Sequence, residues 1–285
     1  MERRPLGPTG EQLSILGFGG IVVADLPQEE ADRIVAEAVD RGVNYFDVAP
    51  TYGNAQERLG PALEPYRDKV FLACKTAERD KEGSARELEE SLRVLRTDHV
   101  DLYQLHGLAN LADVDKAFGP GGAIETFEAA KREGKARFLG FSAHSQEAAL
   151  EALKRFPFDS VLFPFNFVCW FGGFGPDLLA AAKSRRAGRL ALKSVARTFW
   201  PEDGRKYDKC WYEPYDDPEK ATLAFRWTLS QDITAAVSPG QHDLFPMMLD
   251  LAEDFRPITA EEEQRLRGMA SGLTPIFPQD DEEQE

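Results

Sequence analysis

Residues 43–52 read VNYFDVAPTY, an apolar run that carries Asp47 near its end and is followed at once by Tyr52. Two further stretches repeat the pattern: KVFLACK at 69–75 ends on Lys75, and HVDLYQLH at 99–106 ends on His106. Short apolar runs separated by helix-like segments read as successive strands of a parallel sheet. Parallel β/α folds gather their chemistry at the C-terminal edge of the sheet. Asp47, Tyr52, Lys75 and His106 are therefore expected to meet at one spot. A carboxylate, a phenol, an ammonium and an imidazole together make a proton-transfer site.

Outward from these stretches the alternation continues. Five more strand candidates are SILGFGG (14–20), ARFLGFS (136–142), SVLFPFN (160–166), RLALKSV (189–195) and ITAAVSP (233–239). Between them lie helical spacings: Ala31, Ile34, Val35 and Ala38 on one face; Leu88, Leu92 and Leu95 on another; Ile124, Phe127 and Ala130 on a third. Ser84 with Glu87 and Thr259 with Glu262 have capping-box spacing. Three joints look alike, each passing from a charged helix end through Gly42, Gly134 or Gly188 straight into a strand. Glycine there can take the left-handed conformation that stops a helix. One repeated joint and eight strand candidates fit a (β/α)8 TIM barrel, an α/β fold. The runner-up is an open doubly wound sheet, which on binding a dinucleotide would usually show G-x-G-x-x-G after its first strand. The corresponding GFGGIVVAD (17–25) lacks the third glycine at that spacing. No linker-like composition divides the chain, so residues 1–275 are expected to form a single barrel domain. The acidic tail, residues 276–285, is expected to be disordered. RRPLGPTGEQLSIL (3–16) reads as a hairpin that plugs the barrel's bottom, and the loops after strands four and six and the stretch 197–217 are candidates to cover the site.

Composition narrows the partners. The 285 residues carry 34 Lys plus Arg against 49 Asp plus Glu, a net charge of −15. Such a surface repels nucleic acid and anionic membrane on average, so a phosphate-bearing ligand needs a local positive pocket. No apolar run approaches the roughly 18 residues of a membrane span, and the N-terminus lacks a secretory apolar stretch. Cys74, Cys169 and Cys210 form no C-x-x-C pair, so no metal site is expected and a reducing cytoplasm is favoured. Cys74 reads as a small buried hydrophobe on a strand rather than a reactive thiol.

Taken together, LGPTGEQLSILGFGG, GVNYFDVAPTYG, ACK, DLYQLHG, GFSAHS and FNFV, in that order on the expected strand ends, resemble the aldo-keto reductase family. The resemblance implies a (β/α)8 barrel that binds a nicotinamide dinucleotide across its C-terminal face and reduces an aldehyde or ketone by hydride transfer. It implies Asp47, Tyr52, Lys75 and His106 as the catalytic tetrad, with Tyr52 the general acid. Ser142 and Asn166 would hold the nicotinamide carboxamide. Gly20 and Asp47 would flank the cofactor, and Lys193, Ser194, Ser238 and Gly240 would follow its diphosphate and adenosine side. The chemistry is coherent: Lys75 would favour the phenolate of Tyr52 and lower its pKa, Asp47 would be the partner of a buried Lys75, and a neutral His106 would hold the substrate oxygen.

Two departures stand out. Many relatives carry a tyrosine in the seventh strand that stacks on the nicotinamide, where this chain has Lys193. A cation there would turn toward the diphosphate or pair with an acid. After the eighth strand, SPGQHDLFPMM offers Asp243 and no nearby base for a 2′-phosphate. The implied cofactor is NADP(H), with NAD(H) left open and Arg197, Arg205 or Lys206 as alternative sources of charge. Singly, each tetrad residue has a plainer structural role. Two other readings also stay open: a cofactor-binding regulatory or redox-sensing subunit, and a barrel lyase or isomerase. The substrate and the oligomeric state are not readable from the chain.

Overall fold

All eight apolar runs become strands of one closed parallel barrel in the computed structural model, which describes residues 1–279. In chain order the strands are β1 (Arg3–Pro5), β2 (Gln12–Ser14), β3 (Leu16–Gly19), β4 (Tyr45–Asp47), β5 (Phe71–Thr76), β6 (Val100–Leu108), β7 (Ala136–Ala143), β8 (Ser160–Pro164), β9 (Gly188–Leu192), β10 (Ala196–Phe199), β11 (Tyr212–Pro214) and β12 (Ala235–Val237). The helices are α1 (Gln28–Asp40), α2 (Ala55–Leu63), α3 (Lys81–Val94), α4 (Leu111–Phe118), α5 (Ala123–Arg132), α6 (Gln146–Arg155), α7 (Phe167–Phe171), α8 (Pro176–Ser184), α9 (Pro218–Ser230), α10 (Phe245–Glu253) and α11 (Ala260–Ala270). The barrel order is β12-β3-β4-β5-β6-β7-β8-β9, and it closes where Ala236 pairs with Leu16 on one side and Ala191 on the other. The open doubly wound sheet is thereby excluded.

The periodicities translate directly. The buried face of α1 is Ala31, Ile34, Val35 and Ala38, and each larger aliphatic side chain there contributes about 1.5–3 kcal/mol on leaving water. Hairpin β1–β2 sends Leu6 and Leu13, both fully buried, against Tyr45, Phe71, Leu102 and Leu190, which closes the N-terminal mouth as expected. Gly42 (φ +91°) and Gly134 (φ +76°) are left-handed at their joints. The third joint differs: Arg186 takes the left-handed turn (φ +60°), and Gly188 opens β9 with no room for a Cβ beside Leu6.

Two further expectations need correction. Thr259 and Glu262 form a capping box on α11, but Ser84 and Glu87 do not. α3 starts earlier, with Asp80 accepting from Gly83 N at 2.8 Å, and Glu87 instead accepts from Thr76 Oγ1 and Ala77 N. The expected tail is not solvated from its first residue either: Ile276 is buried and Phe277 packs on His144, Phe174 and Trp211, while Pro278 and Gln279 are exposed. The acidic remainder, 280–285, lies outside the described residues. No helix among the described residues is long and apolar enough to cross a membrane.

Candidate active site

The C-terminal ends of β4, β5 and β6 bring together a carboxylate, an ammonium and an imidazole. Asp47 ends β4, Lys75 is the fifth residue of β5, and both are 1% exposed. Parallel pairing of Asp47 with Ala73 and of Lys75 with Gln104 sets the three strands in register. Lys75 Nζ donates to Asp47 Oδ1 in a close contact. The other oxygen, Oδ2, accepts from Tyr45 Oη at 3.2 Å and Gln104 Nε2 at 3.0 Å. Burial pulls the Lys75 ammonium toward neutrality, but Asp47 and Tyr52 outweigh it and the net direction is upward. Lys75 therefore stays charged. An unpaired buried ammonium would be costly, and the carboxylate with its two further donors is what makes it tolerable.

Tyr52 follows β4 on the turn leading into α2, with Lys75 Nζ 5.2 Å from its ring centre. His106 stands edge-on to the same ring, with centroids 5.6 Å apart at 85°. Burial raises the phenol's pKa; Lys75 opposes this and Asp47 reinforces it, and the net direction is upward. Lys75 thus pulls the phenol pKa down as expected, but desolvation outweighs the ammonium in the resting site. His106 Nδ1 lies 3.2 Å from Thr51 Oγ1, and its carbonyl accepts from Arg79 at 2.6 Å. Burial, helped by Lys75 and other nearby cations, pushes the imidazole down to about 3, so it is neutral near pH 7.

A cleft of about 180 Å³ opens on this group. Asp47, Tyr52, Lys75 and His106 line it, together with Ser142 from β7 and Ser238 and Gly240 after β12. Ser142 Oγ accepts from Gly107 N at 2.8 Å, and Ser238 Oγ accepts from Gly19 N at 3.0 Å. Three expected cofactor residues do not line it. At Gly20 a Cβ would strike Val48, so this glycine serves packing while its neighbours Gly19 and Ile21 face the cleft. Asn166 is buried and caps α7, accepting from Cys169 N at 2.9 Å and donating weakly to Cys169 Sγ at 3.4 Å. Ser194 is fully buried, with its hydroxyl unpartnered among the described residues.

Lys193 does line the cleft, but it contacts no acid among the described residues. Its Nζ lies 3.3 Å from His144 Nε2 and 5.4 Å from the ring centres of Trp211 and Phe277. The loop cations are engaged elsewhere: Arg197 pairs with Glu213, Lys206 with Asp216, and Arg205 donates to the carbonyls of Tyr207 and Asp208. Lys209 is the cation that sequence reasoning missed. It lines the cleft beside Ile21 and Gly240 and donates to the carbonyls of Val22 and Ala24, and burial lowers its pKa. Tyr45, Gln104 and Thr51 were also missed. Tyr45 lies on β4 two positions from the Asp47 it binds and Gln104 on β6 57 positions away, and nothing in their local spacing marks them.

Of the aromatics crowding the loops, Trp211 and Tyr212 line the cleft. Phe165, Phe167, Trp170 and Phe171 pack around Trp227 instead. Cys74 is buried, with its thiol pushed up to about 11, and is an inert core residue. No cluster of three or more His, Cys, Asp or Glu able to hold a metal occurs among the described residues.

The architecture is a (β/α)8 barrel whose buried ion pair, phenol and imidazole share one cleft at the C-terminal face. The profile of the Aldo/keto reductase family matches residues 15–172, more than half of the chain, and the chain belongs to that family of oxidoreductases. It is 31% identical over 180 residues to the uncharacterized oxidoreductase YqkF of Bacillus subtilis (strain 168), covering 58% of this chain and 56% of that one. It is 30% identical over 223 residues to L-galactose dehydrogenase of Arabidopsis thaliana, covering 72% and 68%. Among solved structures, an aldo-keto reductase from Bacillus halodurans in its holo form superposes with a TM-score of 0.76 at 26% identity, covering 98% of this chain and all of that one.

Proposed function

We propose that the protein reduces an aldehyde or ketone with a nicotinamide dinucleotide and that Tyr52 is the proton donor. The observation that carries this reading is the buried Lys75 ammonium, fixed by Asp47 on one side and facing the Tyr52 ring on the other. A carbonyl oxygen gains negative charge as it is reduced and needs a donor that both stabilises and protonates it. The raised pKa of Tyr52 keeps its proton in place until that charge develops. Lys75 then stabilises the phenolate left behind. In the tautomer where Thr51 donates to Nδ1, the neutral His106 carries its proton on Nε2 and can hold the substrate oxygen beside Tyr52.

Polar groups beside the cleft are available to a dinucleotide. Ser194 Oγ, Gln241 Oε1 and His242 Nδ1 are buried and unpartnered among the described residues, as polar groups awaiting a ligand are. Ser142, Ser194, Ser238 and Gly240 would hold the cofactor, and Lys209, bonded only to carbonyls, would meet its diphosphate. Asn166 could add its amide by giving up the weak bond to Cys169. The cofactor supplies the hydride. The buried, unpaired thiols fit a reducing compartment such as the cytoplasm.

The test is loss of reduced-cofactor absorbance with 4-nitrobenzaldehyde. Tyr52→Phe is expected to lower kcat by at least about 100-fold while cofactor binding persists, and unchanged turnover at matched folding would remove Tyr52 as the acid. Because Arg197 and Lys206 are held in ion pairs and Asp243 stands beside Gln241, NADH is expected to bind at least as tightly as NADPH in a tryptophan-quenching titration. A clear preference for NADPH would reassign one of those cations to the 2′-phosphate.

A further inference from the structure

We propose that Lys193 receives an anionic group of the substrate, so that the preferred substrate is a carbonyl compound carrying a carboxylate. The proposal rests on the reading of the cleft as a carbonyl-reducing site. Three observations lead to it.

The first is where Lys193 points. It follows β9, which lies between β8 and β12 in the barrel. The dinucleotide-side residues Ser238 and Gly240 follow β12. The side chain of Lys193 instead reaches across the end of β8 to His144, which follows β7. It therefore reaches toward the side of the cleft where His106 lies near the end of β6, rather than toward the Ser238–Gly240 end.

The second is what surrounds it. Among the described residues no carboxylate lies within ion-pair distance of Lys193; its neighbours are the His144 imidazole and the faces of Trp211 and Phe277. Burial lowers the His144 pKa to about 3, so this neighbour is a neutral acceptor and brings no counter-charge. Burial likewise pulls the ammonium down to about 8, still charged at neutral pH. A half-buried cation whose partners among the described residues are all neutral is completed by an anion.

The third is the backbone. Lys193 has φ +60°, a left-handed conformation that side-chain-bearing residues seldom adopt. Ala196 N donates to its carbonyl at 3.0 Å, which ties down the turn that carries it. The ammonium is thus presented from a fixed turn rather than from a flexible loop.

The experiment compares matched ligands. By calorimetry the full chain is titrated with benzoate and with benzamide, each with and without NADH, and kcat/KM is measured for 4-carboxybenzaldehyde and benzaldehyde. Benzoate is expected to bind at least about tenfold more tightly than benzamide, and the carboxylated aldehyde to be preferred by a similar factor. Lys193→Met should abolish both preferences, and Lys193→Arg, which keeps the charge, should retain them. Equal binding of the two ligands, a preference that survives Lys193→Met, or benzoate binding that disappears when NADH is present would each overturn the proposal, the last by assigning Lys193 to the cofactor. If neither aldehyde is turned over but benzoate binds through Lys193, the anion site stands and the carbonyl-reducing reading is what fails.

Discussion

At the scale of single residues, two histidines set the response of the protein to acid. His106 and His144 are both held neutral by burial and by neighbouring cations, and each titrates near 3 in the folded chain. In the unfolded chain a histidine titrates at about 6.5. Between those values the unfolded state binds more protons, so stability rises with pH there. The folded state is therefore expected to have the full contribution of both groups above about pH 6.5 and to lose it as pH falls toward 3. Urea unfolding from pH 7.5 to pH 4 measures the slope. His144→Phe should flatten it, and a variant as acid-sensitive as the parent would show that other groups govern the loss. The same residues show where local sequence stops being informative. Asp47, Lys75 and His106 stand at strand ends, and strand ends are visible as the close of an apolar run. That His144 faces Lys193, 49 positions away, follows only from how far each side chain reaches over the barrel mouth.

At the scale of elements, the packing of α9 against α11 turns on one buried guanidinium. Arg226, 2% exposed, donates to both oxygens of Glu262 at 2.6 and 2.7 Å and to the carbonyls of Arg256 and Pro257. Glu262 also closes the capping box of α11, and Arg226 leads the causes that hold its carboxyl down to about 2. Removing one partner leaves a buried charge without its mate. Glu262→Ala is expected to cost about 3–5 kcal/mol in urea unfolding, and a loss below about 1 kcal/mol would mean the pair behaves as a surface ion pair. Thr259 and Glu262 were legible as a capping box because a cap is local. Ser84 and Glu87 have the same spacing, yet Asp80 starts the helix one turn earlier and Glu87 is drawn to Thr76 and Ala77. Spacing alone does not say which of two acceptors reaches the free N–H groups. Gly188 fails for a related reason: it is required by the approach of Leu6 from the far end of the chain, not by the turn beside it.

At the scale of the whole molecule, charge is sorted by place. The chain carries −15 overall, yet Lys75, Lys193 and Lys209 line one cleft with Asp47 as its acid. A small basic opening in an acidic body focuses the field and draws in anions, while the outer surface repels large polyanions. The barrel itself was legible because eight buried parallel strands read as continuous apolar runs, each ending in polar residues. What covers the mouth was less so. Trp211 reaches the cleft, and Phe277 packs on Trp211 and Lys193 behind it, from segments with no strand or helix period of their own, and their places depend on chain paths that hydrophobic spacing does not encode.

The closure of the barrel has a consequence for how the chain is made. β12 forms hydrogen bonds with β3, joining Ala236 to Leu16, and Arg4 reaches the carbonyls of Leu229 and Ile233. A growing polypeptide cannot complete the ring until its eighth strand has left the ribosome. Until then β3 presents an open edge that can pair with another nascent chain.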